Sequence, residues 1–296
     1  MKMKQFVPML AGKVDLKTLK FPVIISPKLD GIRVLIRKGS AVTRKLKHIP
    51  NHHISLALSL DNLEGLDGEV IVGRPHGESV FARTSSGVMS HDGSPEFKFW
   101  VFDEFSFPKL PFCVRFERLE RRRKTWPAWV KKLTHHEIED LDHLKQMHEF
   151  YVSEGYEGTM IRSPHGGYKF GRSTTKEGIL LKMVDYETDE ATIVDFKELQ
   201  HNGNPAERDA LGHTKRSTAK AGKSGRGVLG AFVVESEKYR DRFDVGTGFT
   251  DDARRRHWHN RKSLRGKIIR FKHKPFGQVD CPRHPVFQGF RNAIDT

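Results

Sequence analysis

Through the first two-thirds of the chain, short runs rich in β-branched and aromatic residues alternate with stretches whose apolar positions recur every three or four residues. The first kind predicts strands over residues 23–26, 32–37, 42–49, 68–72, 97–105, 158–161 and 179–183. The second predicts helices over 115–129 and 138–152. In the latter, Ile138, Leu141, Leu144, Met147, Phe150 and Tyr151 fall at helical spacing. The pattern changes near Asp185, where a polar, acidic stretch leads into a new strand at 191–196. Short strands then follow at 228–235, 243–245, 267–272 and 285–290, with one short helix over 251–260. This predicts an α+β chain of two domains, 1–187 and 188–296. The second has enough short strands for a five-stranded OB-type barrel, although a generic small β domain fits the same pattern.

Charge changes this picture. The 296 residues carry 52 Lys and Arg against 37 Asp and Glu, a formal net charge of +15. An excess of this size attracts polyanions, nucleic acid before anionic membrane. Part of it lies in a glycine-rich segment at about 201–227, where Lys215, Arg216, Lys220, Lys223 and Arg226 occur with few large apolar residues. Such a segment buries too little apolar surface to order itself, and reads as an arm that becomes ordered on a phosphate backbone. The run Arg118-Leu119-Glu120-Arg121-Arg122-Arg123-Lys124 reads equally as a DNA contact or as a solvated helix face. The pairs His52-His53 and His135-His136 read as surface residues.

Two cysteines, Cys113 and Cys281, are too few for a disulfide framework and lack metal-site spacing. The first residues carry only a brief apolar patch, broken by Pro8, and no later run is long enough to span a membrane. The expectation is an intracellular protein without a signal peptide, in the cytoplasm or a host-cell compartment that holds DNA.

Candidate chemistry starts at Ser26-Pro27-Lys28-Leu29-Asp30-Gly31-Ile32-Arg33. A lysine that attacks phosphorus must be unprotonated, which desolvation and nearby positive charge favour. Lys28 falls between two apolar runs, at the floor of a pocket, and Asp30-Gly31 turns the chain into the next strand. On these residues alone the segment reads as a hairpin with a lysine in its turn.

Further segments make the reading specific. In order they are Thr43-Arg44-Lys45, Leu66-Asp67-Gly68-Glu69, Phe99-Trp100-Val101-Phe102-Asp103, Glu157-Gly158-Thr159-Met160-Ile161-Arg162 and Leu180-Leu181-Lys182-Met183. With Lys28-x-Asp30-Gly31-x-Arg33 this set resembles the six ordered motifs of the covalent nucleotidyltransferases, which comprise ATP-dependent DNA ligases, RNA ligases and mRNA capping enzymes. Beyond them, Tyr168–Thr174, Lys215-Arg216-Ser217-Thr218, Gly246-Thr247-Gly248-Phe249 and Asp280-Cys281-Pro282-Arg283 look like the minimal, chlorella-virus-like DNA ligases over essentially the whole chain.

The resemblance implies a nucleotidyltransferase (adenylation) domain of antiparallel sheets and helices, followed by an OB-fold barrel with a latch-like insertion. It implies nick sealing in duplex DNA through a lysyl–AMP at Lys28, in replication or repair, by a monomer that closes around DNA. Asp30 and Arg33 belong to the nucleophile motif; Arg33 bonds a ribose hydroxyl or phosphate. Glu157 leans towards a metal ion and Glu69 towards the ribose, with either able to ligate Mg²⁺ or a substituting Mn²⁺. Phe102 stacks on adenine. Lys182, with Arg44, supplies charge at the α-phosphate, and Arg283 reaches the pyrophosphate of ATP.

One position departs from the pattern. The family usually has a second lysine two residues after Lys182, and here that position is Val184. An mRNA guanylyltransferase or an RNA ligase is the alternative, although the Arg-x-Asp-Lys ending of capping enzymes is missing.

Overall fold

The computed structural model describes residues 6–77, 79–274 and 280–291. The chain divides into two compact units, residues 1–184 and 185–296.

In the first unit the elements run β1 (Gly12–Lys13), β2 (Val23–Pro27), β3 (Ile32–Arg37), β4 (Ser40–Thr43), α1 (His52–Leu58), β5 (Leu66–Val72), α2 (Val80–Met89), β6 (Phe97–Glu104) and α3 (Phe112–Arg122). They continue with β7 (Val130–Lys132), β8 (His136–Ile138), α4 (Leu141–Ser153), β9 (Thr159–Arg162) and β10 (Leu180–Met183). The strands form two five-stranded sheets, ordered β1-β10-β9-β2-β8 and β4-β3-β5-β6-β7. In the second sheet, inward residues of alternate position, Val34, Ile36, Val70, Phe99 and Val101, pack with Ile54 and Leu58 of α1 and Leu119 of α3. Each such side chain contributes about 1.5–3 kcal/mol on burial.

The two sheets correct the hairpin expected around Lys28. β2 belongs to one sheet and β3 to the other, so the chain from Lys28 to Gly31 crosses between sheets instead of turning back. Gly31 is required there. A Cβ on it would lie 2.3 Å from the Val70 carbonyl oxygen and 2.4 Å from Ile71 Cδ1.

The expected helices are shorter than their apolar patterns. Asp140 caps α4 by accepting from the His143 N–H at 2.8 Å, which leaves Ile138 to pair with Val23 across β8 and β2. α3 gives way to a single 3-10 turn, Arg123–Thr125, just before Pro127, whose ring disfavours helix at the preceding residue. The expected strand at 42–49 stops at Thr43. Leu46 adopts φ +57, and Arg44 and Lys45 stand exposed in the turn between.

In the second unit follow β11 (Glu187–Asn202), β12 (Ala206–Arg208), β13 (Thr214–Arg216), β14 (Lys223–Ser236), β15 (Tyr239–Val245), α5 (Asp251–His259), α6 (Arg261–Leu264), β16 (Ile268–Lys274) and β17 (Arg283–Phe290). Its main sheet has the order β15-β14-β11-β16-β17, antiparallel throughout. Phe232, Val234, Val245, Ile269 and Phe271 form its core. Among the described residues the ladders leave this sheet open rather than closed into the expected barrel. A single bridge, Thr247 to Val286, brings its two edges together.

The basic segment at 201–227 is ordered, contrary to expectation. β11 and β14 extend into it, pairing as far as Asn202 with Lys223, and β12 with β13 makes a small hairpin at its tip. Polar bonds do what apolar burial does elsewhere. The buried Asn204 side chain donates to the Ser217 carbonyl at 3.0 Å, the Ala219 carbonyl at 2.9 Å and Asn202 Oδ1 at 2.8 Å. Glu198 Oε1 accepts from the Gly227 N–H at 2.6 Å. Among the described residues, no helix is long and apolar enough to cross a membrane.

Candidate active site

Strand pairing places Lys28 and Glu157 side by side. The Lys28 N–H donates to the Gly158 carbonyl at 2.8 Å, and the Glu157 N–H donates to the Lys28 carbonyl at 3.1 Å. This pairing continues the β2–β9 ladder, in which Pro27 faces Thr159. Lys28 Nζ forms an ion pair with Glu157 Oε2. The carboxylate is nearly buried, at 4% side-chain exposure, while the lysine keeps 21%. Gly158 makes the close approach possible. Its φ is +139, and a Cβ there would lie 2.3 Å from the Met183 carbonyl oxygen.

Across the inter-sheet crossing, Arg33 is gripped as a fork. Its Nε donates to Asp67 Oδ1 at 2.8 Å, Nη2 to Asp67 Oδ2 at 2.5 Å, and Nη1 to the Met9 carbonyl at 2.6 Å. Tyr168 completes the clamp, donating its hydroxyl to Asp67 Oδ2 at 2.7 Å. Burial, and then the Asp67 carboxylate, hold that phenol protonated well above its usual range. Arg33 is opposite Glu69 in the β3–β5 register. Burial pushes Glu69 up to about 7, against the pull of Lys28 and Arg33, while Asp30 and Asp67 push it further up.

Phe102 is on β6, and alternation there turns Phe99 and Val101 towards the core and Trp100 and Phe102 to the opposite face. The guanidinium carbons of Arg33 and Arg162 lie 5.5 Å and 5.7 Å from the Phe102 ring centroid. Beneath it, Asp103 is fully buried and accepts from Arg115 Nε at 2.8 Å and Arg162 Nη1 at 2.7 Å. Burial would raise this carboxyl, but Arg162 and Arg115 hold it below the usual carboxylate range.

Lys182 is in register with Met160 on β9, which in turn faces Ser26 on β2. Its ammonium is made less basic by burial and then by Lys28, Arg172 and Arg44. Arg44 therefore stands with Lys28 and Lys182 despite being on a turn and not a strand. Arg283 opens β17 in the second unit, and Lys215, Arg216, Lys220, Lys223 and Arg226 are all exposed on the arm.

Sequence reasoning assigned no task to Tyr168, Asp67, Asp103, Arg115 or Arg172. Asp67 carried a signal, since it stands directly in the Leu66–Glu69 motif; Arg115 carried none. The basic run on α3 is partly structural. Arg118 Nε and Arg122 Nη1 bond the buried Glu104 carboxylate at 2.5 Å and 2.9 Å, while Arg123 and Lys132 pair with Glu120. His135 also departs from expectation. Its ring is 5.4 Å and 4.6 Å from those of Phe112 and Phe116, and burial, with nearby Arg162, pushes it down to about 3.

A lysine paired with an acid at the crossing of two sheets, beside a cationic cluster and an aromatic strand, defines a nucleotidyltransferase site, and an OB-like unit follows it. Residues 8–185 match the model of the ATP dependent DNA ligase domain, and residues 222–291 that of the DNA ligase OB-like domain. The chain belongs to the ATP-dependent DNA ligase family. It is 32% identical to a chlorella virus DNA ligase-adenylate, with 97% of this chain and 100% of that one covered and a TM-score of 0.56. A Lig E DNA ligase shares the fold at a TM-score of 0.73 with 21% identity, over 96% of this chain and 99% of that one. No curated protein matches.

Proposed function

We propose that this ATP-dependent DNA ligase seals nicks in duplex DNA through a lysyl–AMP formed at Lys28. The observation that carries the reading is the position of Lys28, paired with a buried Glu157 at the crossing between the sheets, with Lys182 near it and Arg33 clamped by Asp67 at the far end of the crossing. In the first step the Lys28 nitrogen attacks the α-phosphorus of ATP. A P–N bond forms, the bond to the bridging oxygen breaks, and pyrophosphate leaves. AMP then passes to the 5′-phosphate at the nick, breaking the P–N bond and forming an anhydride. The 3′-hydroxyl attacks that phosphate and AMP departs.

Positioning and charge neutralisation dominate such transfers. Phe102 offers a face for the adenine, and Arg33, held by Asp67, meets the ribose or a phosphate. Asp30 stands at the crossing, near enough to Glu69 to raise its pKa. Lys182 and Arg44 face the phosphates, and Arg283 brings a further cation from the second unit. Glu157 and Glu69 suit a hard cation; Glu69 in particular is a carboxyl whose burial outweighs the cations around it. They would hold Mg²⁺, with Mn²⁺ able to substitute, and the ion would neutralise phosphate charge. Lys215, Arg216, Lys220, Lys223 and Arg226 make the arm a latch on the DNA backbone, worked by a monomer that closes around its substrate.

The test is a denaturing gel after incubation with Mg²⁺ and α-labelled ATP or GTP, followed by a chase with nicked DNA. Label retained from ATP alone and lost to nicked duplex supports the reading. Label from GTP points to cap synthesis, and discharge only on nicked RNA points to an RNA ligase.

A further inference from the structure

Tyr168 lies outside the six motifs, yet its hydroxyl closes a ring of hydrogen bonds around Arg33. The guanidinium donates through Nη1 to the Met9 carbonyl at 2.6 Å, and through Nε and Nη2 to Asp67. The Met9 N–H donates to Tyr168 Oη at 3.3 Å, and Tyr168 Oη donates to Asp67 Oδ2 at 2.7 Å. Met9, Asp67 and Tyr168 are 1%, 0% and 3% exposed, so solvent does not compete for these bonds.

Tyr168 reaches this ring on a support of its own. Its N–H donates to the Pro108 carbonyl at 2.8 Å, and its ring centroid is 6.0 Å from that of Phe105 and 5.6 Å from that of Phe170. The hydroxyl is therefore placed independently of the carboxylate that it meets. A carboxylate held by the Arg33 fork alone can tilt together with that fork; a third donor from a fixed ring removes this freedom. The same length of chain also reaches the lysine strand. A few residues after Met9 comes β1, whose Lys13 pairs with Lys182 of β10. Arg33 and Lys182 belong to different sheets, and this segment refers both cations to one stretch of backbone.

We propose that Tyr168 is a positioning residue of the adenylation step, fixing the Arg33 guanidinium through Asp67 at the place where it meets the nucleotide. The proposal rests on the assignment of Lys28 as nucleophile and of Arg33 as a nucleotide contact. Tyr168 acts only through its partners. Without its hydroxyl the ion pair of Arg33 with Asp67 remains but is free to shift, and a misplacement of about 1 Å can cost about 100-fold in rate.

The experiment measures the rate of lysyl–AMP formation across an ATP titration for wild type, Tyr168→Phe, Tyr168→Leu, Arg33→Ala and the double variant Arg33→Ala/Tyr168→Phe. Thermal unfolding of each is recorded, and the rates are taken well below every transition. Tyr168→Phe keeps the ring and loses only the hydroxyl, and kcat/KM for ATP should fall about tenfold or more. Tyr168→Leu loses the ring contacts as well; it should unfold at a lower temperature than Tyr168→Phe yet take label at a similar rate. In the Arg33→Ala background, removing the hydroxyl should change the rate by less than about twofold, because the group it positions is already gone. The proposal is overturned if Tyr168→Phe takes label as wild type does, or if the hydroxyl is worth as much without Arg33 as with it. It is also overturned if the rates follow the unfolding temperatures instead of the presence of the hydroxyl. Wild-type labelling of Arg33→Ala would remove Arg33 as a nucleotide contact, and the proposal with it. Wild type that takes no label from ATP would instead remove the assignment of Lys28.

Discussion

The floor of the adenylation site and the basic arm hold their charges in opposite ways. In the floor four cations have carboxylate partners: Lys28 with Glu157, Arg33 with Asp67, Arg115 and Arg162 with Asp103. In the arm, Lys215, Arg216, Lys220, Lys223 and Arg226 are exposed, and none forms an ion pair among the described residues. A buried matched charge fixes geometry, because losing its partner leaves an uncompensated ion. An exposed unmatched charge fixes little but attracts a polyanion over several ångströms. The arm's own order comes from Asn204, from backbone bonds and from Arg216, whose Nη1 donates to the Asn204 carbonyl, and none of these uses the side chains of Lys215, Lys220, Lys223 or Arg226.

The sharpest break of this contrast is Lys28→Ala. It should abolish covalent labelling from ATP entirely while nicked-DNA retention on a filter stays within a few-fold of wild type; labelled mutant protein would place the nucleophile elsewhere. Deleting residues 202–226 should do the reverse. Lysyl–AMP formation should survive within about twofold, and nick sealing should drop about tenfold or more as backbone contacts are lost. Equal loss of both activities would deny the arm a separate task.

Arg115→Met probes matched charge in the floor. It strands Asp103 beside Arg162 alone and should cost about 3–5 kcal/mol, read from urea unfolding. A loss below 1 kcal/mol would mean that Arg162 suffices. A smaller effect concerns His135, which burial keeps neutral down to about 3. Its contribution is complete above the unfolded value near 6.5 and falls away as the pH drops towards 3. Between pH 7.5 and 5, wild type should lose about 2 kcal/mol more stability than His135→Phe. Parallel losses would show that other groups govern acid sensitivity.

Much of this contrast was legible in the sequence, but unevenly. Lys28, Glu69, Glu157 and Lys182 stood out because their segments resemble, in order, the motifs of the covalent nucleotidyltransferases. The crossing between sheets was not legible. Two apolar runs joined by Asp30-Gly31 satisfy a hairpin and a crossover alike, and only long-range pairing with β9 and β5 decides between them. The roles of Arg118 and Arg122 were hidden for a related reason, since Glu104, their partner, lies fourteen or more residues away on another element. The order of the arm was missed because composition counts apolar burial, whereas Asn204 satisfies carbonyls that composition does not see.

The three residues between Lys28 and the start of β3 at Ile32 also act as a ruler. Both ends are anchored, Lys28 by its bond to Gly158 in one sheet and Arg33 by Asp67 in the other. One added residue would lengthen that span by about 3.5 Å. That is as long as the reach between reacting atoms in a productive complex, about 3–3.5 Å. Length here is therefore constrained as well as residue type at Gly31, and a single-codon insertion that spares every named side chain should still separate the amine from its phosphorus.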